Sequence, residues 1–291
     1  MTQINQKVLM SDAINFSNEQ PINPYYHQES INCDQATIEH DNIRNLLIQS
    51  DVNVESVSSP IGCQDGVYTA NWALVRGDTA VMANLPNARK DEEKFAEKIL
   101  EVLGKKIIHI PENLKFSGQG DALACGNLLF CGSGYRSDEQ AQKIAAEALG
   151  YDRIQLRTVP KLDDSGNPII NSASGWPDSF FYDIDLAIAI IKPITDSQKG
   201  LIAYCPEAFT AESQSILANL DAVDKITVSI DEAKNGFATN LVSTGDTVIM
   251  SAHAPNLTNE LRGHGLTVLT PEIAELAKGG GYIRCMTLTI N

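Results

Sequence analysis

One pattern recurs along this chain and limits what it can fold into: strand, strand, helix, strand, four times at intervals of about 50 to 60 residues. The first copy has strands at 67–75 and 79–83 around the turn Arg76-Gly77-Asp78, a helix at 91–103 and a strand at 106–110. The second takes 122–125, 128–131, a helix at 138–149 and 153–157; the third 186–191, 200–204, a helix near 212–219 and 225–229. The fourth takes 238–243, 247–252, a helix near 256–263 and 266–269. The two ends supply a fifth. Residues 282–290 and 8–10 form its hairpin, an amphipathic helix at 35–50 carries Ile38, Ile43, Leu46 and Leu47 on one stripe, and 52–57 is its last strand. Closing a ring with both ends in one unit removes the strand edges an open array would expose. An ordinary doubly wound sheet needs βαβ alternation, which hairpin-plus-helix units do not provide. The pattern therefore predicts an α/β fold, a five-bladed α/β propeller forming one domain over residues 1–291. A stretch at 159–180 departs from the period, and a loop of that length is expected to serve as a lid.

Charge and cysteines narrow the function. With 22 Lys+Arg against 37 Asp+Glu the net charge is −15. That argues against a nucleic-acid partner, which needs a basic surface, and suits a small cationic or zwitterionic ligand. The six cysteines are scattered with no C-x-x-C pair, as expected of reduced thiols in a cytoplasmic protein. No metal-ligand spacing appears and the five histidines stand apart, so neither metal nor organic cofactor is expected. The N-terminal residues lack an apolar leader and no apolar run reaches membrane-spanning length, so no membrane association is expected either. Composition leaves a homo-oligomer open.

Near the C-terminus runs Lys278-Gly279-Gly280-Gly281-Tyr282-Ile283-Arg284-Cys285-Met286-Thr287. Three glycines allow a turn with positive φ and close approach, and the alternation after them reads as a strand holding Cys285 beside the cation Arg284. A neighbouring cation stabilises a thiolate, the nucleophilic form. From this stretch alone, Cys285 is either such a nucleophile or an inert core thiol.

In a ring of repeats the starts of equivalent strands converge on the pseudo-axis, and unusual polar residues sit there: Asp65 to Asn71, Ser117 to Asp121, Asp183, Asp185, Asn240, and Arg284 with Cys285. Asp183 and Asp185, two apart, would share one strand face and concentrate negative charge for a guanidinium, an amidinium or a metal. With no histidine beside them in sequence, the organic cation is preferred. Trp72 and Tyr68 read as core, Cys125 and Cys131 as core strand residues, and Arg89 with Glu92 as a salt bridge at a helix start.

These residues carry a family resemblance over essentially the whole chain. Ile22-Asn23-Pro24-Tyr25, Val67-Tyr68-Thr69-Ala70-Asn71, Ala88-Arg89-Lys90-Asp91-Glu92, Phe116-Ser117-Gly118-Gln119-Gly120-Asp121, Gly134-Tyr135-Arg136-Ser137, Phe181-Tyr182-Asp183-Ile184-Asp185 and the Gly-Gly-Gly-x-x-Arg-Cys-Met-Thr ending are similar to motifs of the guanidino-modifying (amidinotransferase, or pentein) superfamily. Within it the chain most resembles arginine dihydrolases, arginine deiminases and dimethylarginine dimethylaminohydrolases. The resemblance implies the five-bladed propeller and hydrolysis of arginine or a related guanidino compound. Cys285 would attack the guanidinium carbon to form a thiouronium-like intermediate, and Asp185 would hold the guanidinium nitrogens. Asn71, Asn23, Arg136, Asp65, Ser117, Asp121 and Arg284 would surround the substrate, with Asn23 and Arg136 at its amino-acid end. Two positions depart from the family: its catalytic histidine falls on Asp183, and the glutamate that partners that histidine falls on Ser117. The expectation is that Asp183 takes over acid–base catalysis, its pKa raised by like-charge coupling to Asp185, with Ser117 donating a hydrogen bond to it. A non-catalytic guanidino-binding protein and an amidinotransferase stay open as alternatives.

Overall fold

Five three-stranded sheets, each built the same way, surround a common axis in this computed structural model, which describes residues 3–26 and 29–291. In each, an inner strand pairs antiparallel with a middle strand, and the middle strand pairs parallel with an outer one after a helical crossover. In chain order β1 is Lys7–Ser11, α1 Cys33–Gln49 and β2 Asn53–Val57. Then come β3 Ala73–Arg76, β4 Thr79–Met82, α2 Glu92–Val102 and β5 Lys106–Ile108. The next blade is β6 Ala122–Cys125, β7 Leu128–Ser133, α3 Glu139–Leu149 and β8 Asp152–Arg157. It is followed by β9 Ile188–Lys192, β10 Gly200–Tyr204, α4 Ala211–Ala218 and β11 Val223–Thr227. After the short α5, Ile230–Asn235, come β12 Val242–Ser243, β13 Thr247–Ile249, α6 Pro255–Gly263 and β14 Thr267–Leu269. The last strand, β15 Leu288–Thr289, pairs with β1, so the first blade takes strands from both ends of the chain, as the sequence predicts.

Local chemistry explains the repeat. The β3–β4 hairpin turns through Gly77-Asp78, with Gly77 at φ +57°, where a side chain would be strained. Helix α1 begins at Asn32, whose side chain accepts from the Gln35 N–H, and α3 ends on Gly150 in the left-handed conformation. Helix α2 turns Ala96 and Leu100 onto Leu9, Trp72, Val75 and Met82. Of the stripe expected on α1, Ile43 and Leu47 are buried and Leu46 packs against the core, but Ile38 is 54% exposed. The place beside them goes to Glu39, whose carboxylate accepts from the backbone N–H groups of Ala274, Glu275 and Leu276. A buried carboxylate so used anchors the segment that leads into the glycine turn.

The inner strands are shorter than their alternation suggests. Each is preceded by a tight turn instead: Thr69–Trp72, Gly118–Gly120 and Ile184–Leu186 are 3-10 turns. Leu241 N–H donates to the Thr239 carbonyl, and Met286 N–H to the Tyr282 carbonyl. Close to the axis a strand runs out of partners for its ladder, so buried backbone groups pair within the turn. Asp183 therefore precedes a turn and Asp185 lies inside it, so the two do not share a strand face, and Cys285 sits in a turn, not on a strand.

The stretch 159–180 is an irregular hairpin held by bridges Leu162–Pro168 and Ile170–Pro177. Asn171 donates to the Pro21 carbonyl at 3.1 Å, and Phe180 meets Tyr25 edge-on with centroids 5.3 Å apart. It thus leans on the 20–26 segment. Among the described residues no helix is long and apolar enough to cross a membrane.

Candidate active site

The three glycines are required by what approaches them. A Cβ on Gly279 or Gly281 would run into the Tyr68 ring, and one on Gly280, at φ +85°, into Asn23. Hydroxyls and amides then pin the turn. Tyr68 donates to the Leu276 carbonyl at 2.5 Å, Tyr182 to the Gly280 carbonyl at 2.7 Å, and Asn23 Nδ2 to the Gly279 carbonyl at 2.9 Å. Past the turn, Asn240 fixes the cysteine. Its Oδ1 accepts from the N–H groups of Tyr282 and Cys285, both at 3.1 Å, and its Nδ2 donates to Cys285 Sγ at 3.1 Å. Asn240 is the polar residue at the start of the fourth repeat, so its position was readable although its function was not.

The Cys285 thiol donates to Asp185 Oδ2 at 3.4 Å. Asp185 is held in place from below: Asp121 Oδ1 accepts from the Ile184 N–H at 2.9 Å and its Oδ2 from Ser137 at 2.7 Å. Asp183, on the other side of Ile184, accepts from Asn71 Nδ2 at 2.8 Å and lies 3.5 Å from Arg136 Nη1. Both carboxylates are fully buried, and one oxygen of each, Asp183 Oδ1 and Asp185 Oδ1, has no hydrogen-bond partner; neither has Arg136 Nη2. An unpaired buried polar atom is costly unless a ligand completes it.

Burial first, and then the Asp183 charge, push Asp185 up to about 8. Burial and the charges of Asp185 and Asp183 push the Cys285 thiol well above its ordinary value, against a smaller opposite pull from the Tyr282 N–H and Asn240. Arg284 does not supply the thiolate-stabilising cation expected of it. Its guanidinium is directed to the Thr287 carbonyl at 3.0 Å, Thr289 Oγ1 at 3.2 Å and Gln119 Oε1 at 2.8 Å. Ser117 does not donate to Asp183 either. Its hydroxyl accepts from Asn71 Nδ2 at 2.8 Å, so Asn71 bridges the two residues.

Asn71 is itself held by a buried ion pair. Arg89 Nη1 donates to Asn71 Oδ1 at 2.7 Å, while its Nε and Nη2 fork onto Glu92 at 2.9 and 2.7 Å. Arg89 Nη2 also reaches the Tyr68 carbonyl, and Glu92 accepts from Trp72 Nε1. With exposures of 2% and 0%, this pair is far more than the helix-start contact expected of it: it carries the Asn71 amide.

Five of the predicted residues, Asn23, Asp65, Asn71, Arg136 and Cys285, line one small cavity together with Tyr68 and Tyr182, so Tyr68 faces the site as well as the core. Asp183 and Asp185 stand directly behind its wall. Arg136 stacks on Tyr182 at 3.9 Å, and Asp65 accepts from Tyr26 at 2.5 Å. Ser117, Asp121 and Arg284 do not reach the cavity; the first two support Asn71 and Ile184. His109 and His253 lie on the surface beside Glu97 and Glu272. The free space is about 10 Å³, room for one water. A larger ligand enters only if the wall opens.

The chain is similar to several known proteins. A bifunctional arginine dihydrolase/ornithine cyclodeaminase of a Nostoc species is 29% identical over 84% of the chain, which spans 32% of that protein. The dimethylarginine dimethylaminohydrolase of Mycobacterium tuberculosis is 30% identical over 88% of the chain and 76% of its own length. The chain thus spans about a third of the bifunctional relative and three quarters of the other. Among solved structures, the N-terminal domain of the cyanobacterial arginine dihydrolase ArgZ bound to substrate superposes with a TM-score of 0.84 at 25% identity, covering 98% of this chain and 97% of that one. Another structure of that domain holds a covalently bound reaction intermediate. The dimethylarginine enzyme of Pseudomonas aeruginosa shares the fold at a TM-score of 0.74. Residues 9–291 match the family model described as N,N dimethylarginine dimethylhydrolase, eukaryotic, and the chain belongs to that family, in the pentein superfamily of guanidino-modifying enzymes.

Proposed function

We propose that this protein hydrolyses arginine or a closely related guanidino compound through a covalent adduct on Cys285, with Asp183 standing in for the histidine of its relatives. The observation that carries this is the set of unpaired atoms around the thiol. Asp183 Oδ1 and Asp185 Oδ1 lack donors and Arg136 Nη2 lacks an acceptor, which are the complements of a guanidinium and of a carboxylate on one ligand.

A guanidinium seated against the two carboxylates offsets the charges that oppose thiol ionisation. The thiol proton then passes over the 3.4 Å contact to the carboxylate pair, and the thiolate attacks the guanidinium carbon. The C–N bond breaks, and the pair returns the proton to the departing nitrogen, which leaves as ammonia or an amine. Water adds to the thiouronium carbon while Asp183 takes its proton, the C–S bond breaks, and the thiolate is regenerated beside a urea-type product. Positioned proton transfer of this kind is worth about 10²–10⁴ in rate.

The test is intact-protein mass spectrometry after mixing with arginine, agmatine, methylated arginines and citrulline and quenching in acid. Ammonia, citrulline and ornithine are assayed alongside, with Cys285→Ser and Asp183→Asn as controls. The expected result is an adduct on Cys285 with one of these substrates and turnover that falls in both variants. An adduct without turnover would make the protein a stalled binder, and no adduct with any of them would overturn the proposal. An acceptor amine that appears coupled to the amidino group would instead show a transferase.

A further inference from the structure

The axial channel has a second mouth. A cavity of about 250 Å³ opens at the opposite ends of the inner strands from Cys285 and shares no lining residue with the site above. All five blades contribute to it. Val75, Leu123, Ile188 and Leu241 are among its apolar walls, and Gln119, Thr239 and Arg284 are its buried polar groups.

Arg284 is the anomaly. Arg89 has Glu92 at 2.7 Å and Arg136 has Asp183 at 3.5 Å. Arg284, equally buried, makes hydrogen bonds only to neutral oxygens, and among the described residues no carboxylate lies within salt-bridge distance of it. Burial depresses its pKa, while the more distant Asp185 and Cys285 pull it back up in part. A buried charge left without a counter-ion is costly. Thr239, 1% exposed, lines the same cavity, and its Oγ1 has no hydrogen-bond partner.

A buried cation that makes no ion pair and an unpaired hydroxyl in an apolar-walled cavity call for an anion with an apolar tail. The free space of about 250 Å³ limits the tail to a short aliphatic chain. We propose that this cavity binds a short aliphatic monocarboxylate, its carboxylate on Arg284 and Thr239 and its chain against the inner strands. Arg284 and Thr239 immediately precede Cys285 and the Asn240 that holds it.

Calorimetric titration of the full chain with hexanoate tests this, against hexan-1-ol, hexylamine and acetate at matched ionic strength. Saturable one-to-one binding of hexanoate is expected, at least tenfold weaker for acetate and absent for the alcohol and amine. Ala124→Trp, at the cavity rim, should abolish it, and Thr239→Val should weaken it about tenfold, with unliganded melting curves showing that each variant folds. If Ala124→Trp does not fold, the near-isosteric Thr239→Val decides. Equal binding of hexanol would reduce the site to a greasy hole, and equal binding of acetate would leave an adventitious ion only. Either result, or unchanged affinity in a folded variant, would overturn the proposal.

Discussion

Replacing Asp185 by Asn should make Cys285 more reactive in the free protein, although Asp185 belongs to the site. The carboxylate oxygen lies 3.4 Å from the sulfur. At an effective dielectric constant near 20, a full charge at that distance opposes thiolate formation by about 5 kcal/mol, or between three and four pKa units. Because Asp185 is itself pushed up to about 8, the comparison belongs at pH 9, where it is mostly ionised. Reactivity recovers only part of the gain, since nucleophilicity falls as the thiol pKa falls with a coefficient near 0.5. The net expectation is about a thirtyfold to hundredfold faster reaction with iodoacetamide. Peptide mass spectrometry reads Cys285 against the exposed Cys33 and the buried Cys131 in the same chain. Any opening needed to admit the reagent affects both proteins alike and cancels in the ratio. If Cys285 alkylates more slowly in the variant, Asp185 serves in the free protein as the base that removes the thiol proton, and the charge argument is wrong.

The same carboxyl sets a pH dependence of stability. Its folded pKa lies above the ordinary unfolded value near 3.9, so its contribution is fully present below that value and is lost as pH rises through about 8. Melting temperature should therefore decline between pH 4 and pH 8, and Asp185→Asn should flatten the decline; parallel curves would remove Asp185 as the cause. Glu92→Gln leaves the buried Arg89 without its counter-ion and should cost about 3–5 kcal/mol in urea unfolding. A loss below about 1 kcal/mol would show that Asn71 and the carbonyls suffice to hold Arg89. Gly280→Ala forces a side chain to φ +85° and into Asn23, a strain of about 1–3 kcal/mol, visible as a lower denaturation midpoint. An unchanged midpoint would mean that the turn relaxes freely.

The blades were legible because hydrophobic period and turn residues are local signals, and Gly77-Asp78 sits between two apolar runs that pair as a hairpin. The ring was legible because only closure pairs β15 with β1. Failures gather at the axis. Alternation at 282–290 imitates a strand, but Cys285 lies where no neighbouring strand is available, and the local turn wins. Adjacency misled in the same way: Arg284 is next to Cys285 in the chain, but the two residues line different cavities. Spacing could not show that Arg89 and Glu92 are buried, because that depends on Trp72 and Asn71 arriving from another turn.

The two departures from the family pattern are consistent with a charge balance at the thiol. A histidine at position 183 can be neutral or cationic; Asp183 adds a negative group to a space that already holds Asp185. The chain answers with Arg136 at 3.5 Å and the Asn71 amide on the Asp183 carboxylate, while a glutamate at position 117 would add a third acid beside Asn71, where Ser117 adds none. Asp183 and Arg136 then balance, and Asp185 and the thiol compete for one proton. Only a cation entering that space allows both to ionise. The charge that selects a guanidinium is thereby the charge that arms the nucleophile, and a neutral urea-type product brings no such charge. On this reading the thiol re-protonates as the product forms, and the site releases what it has made.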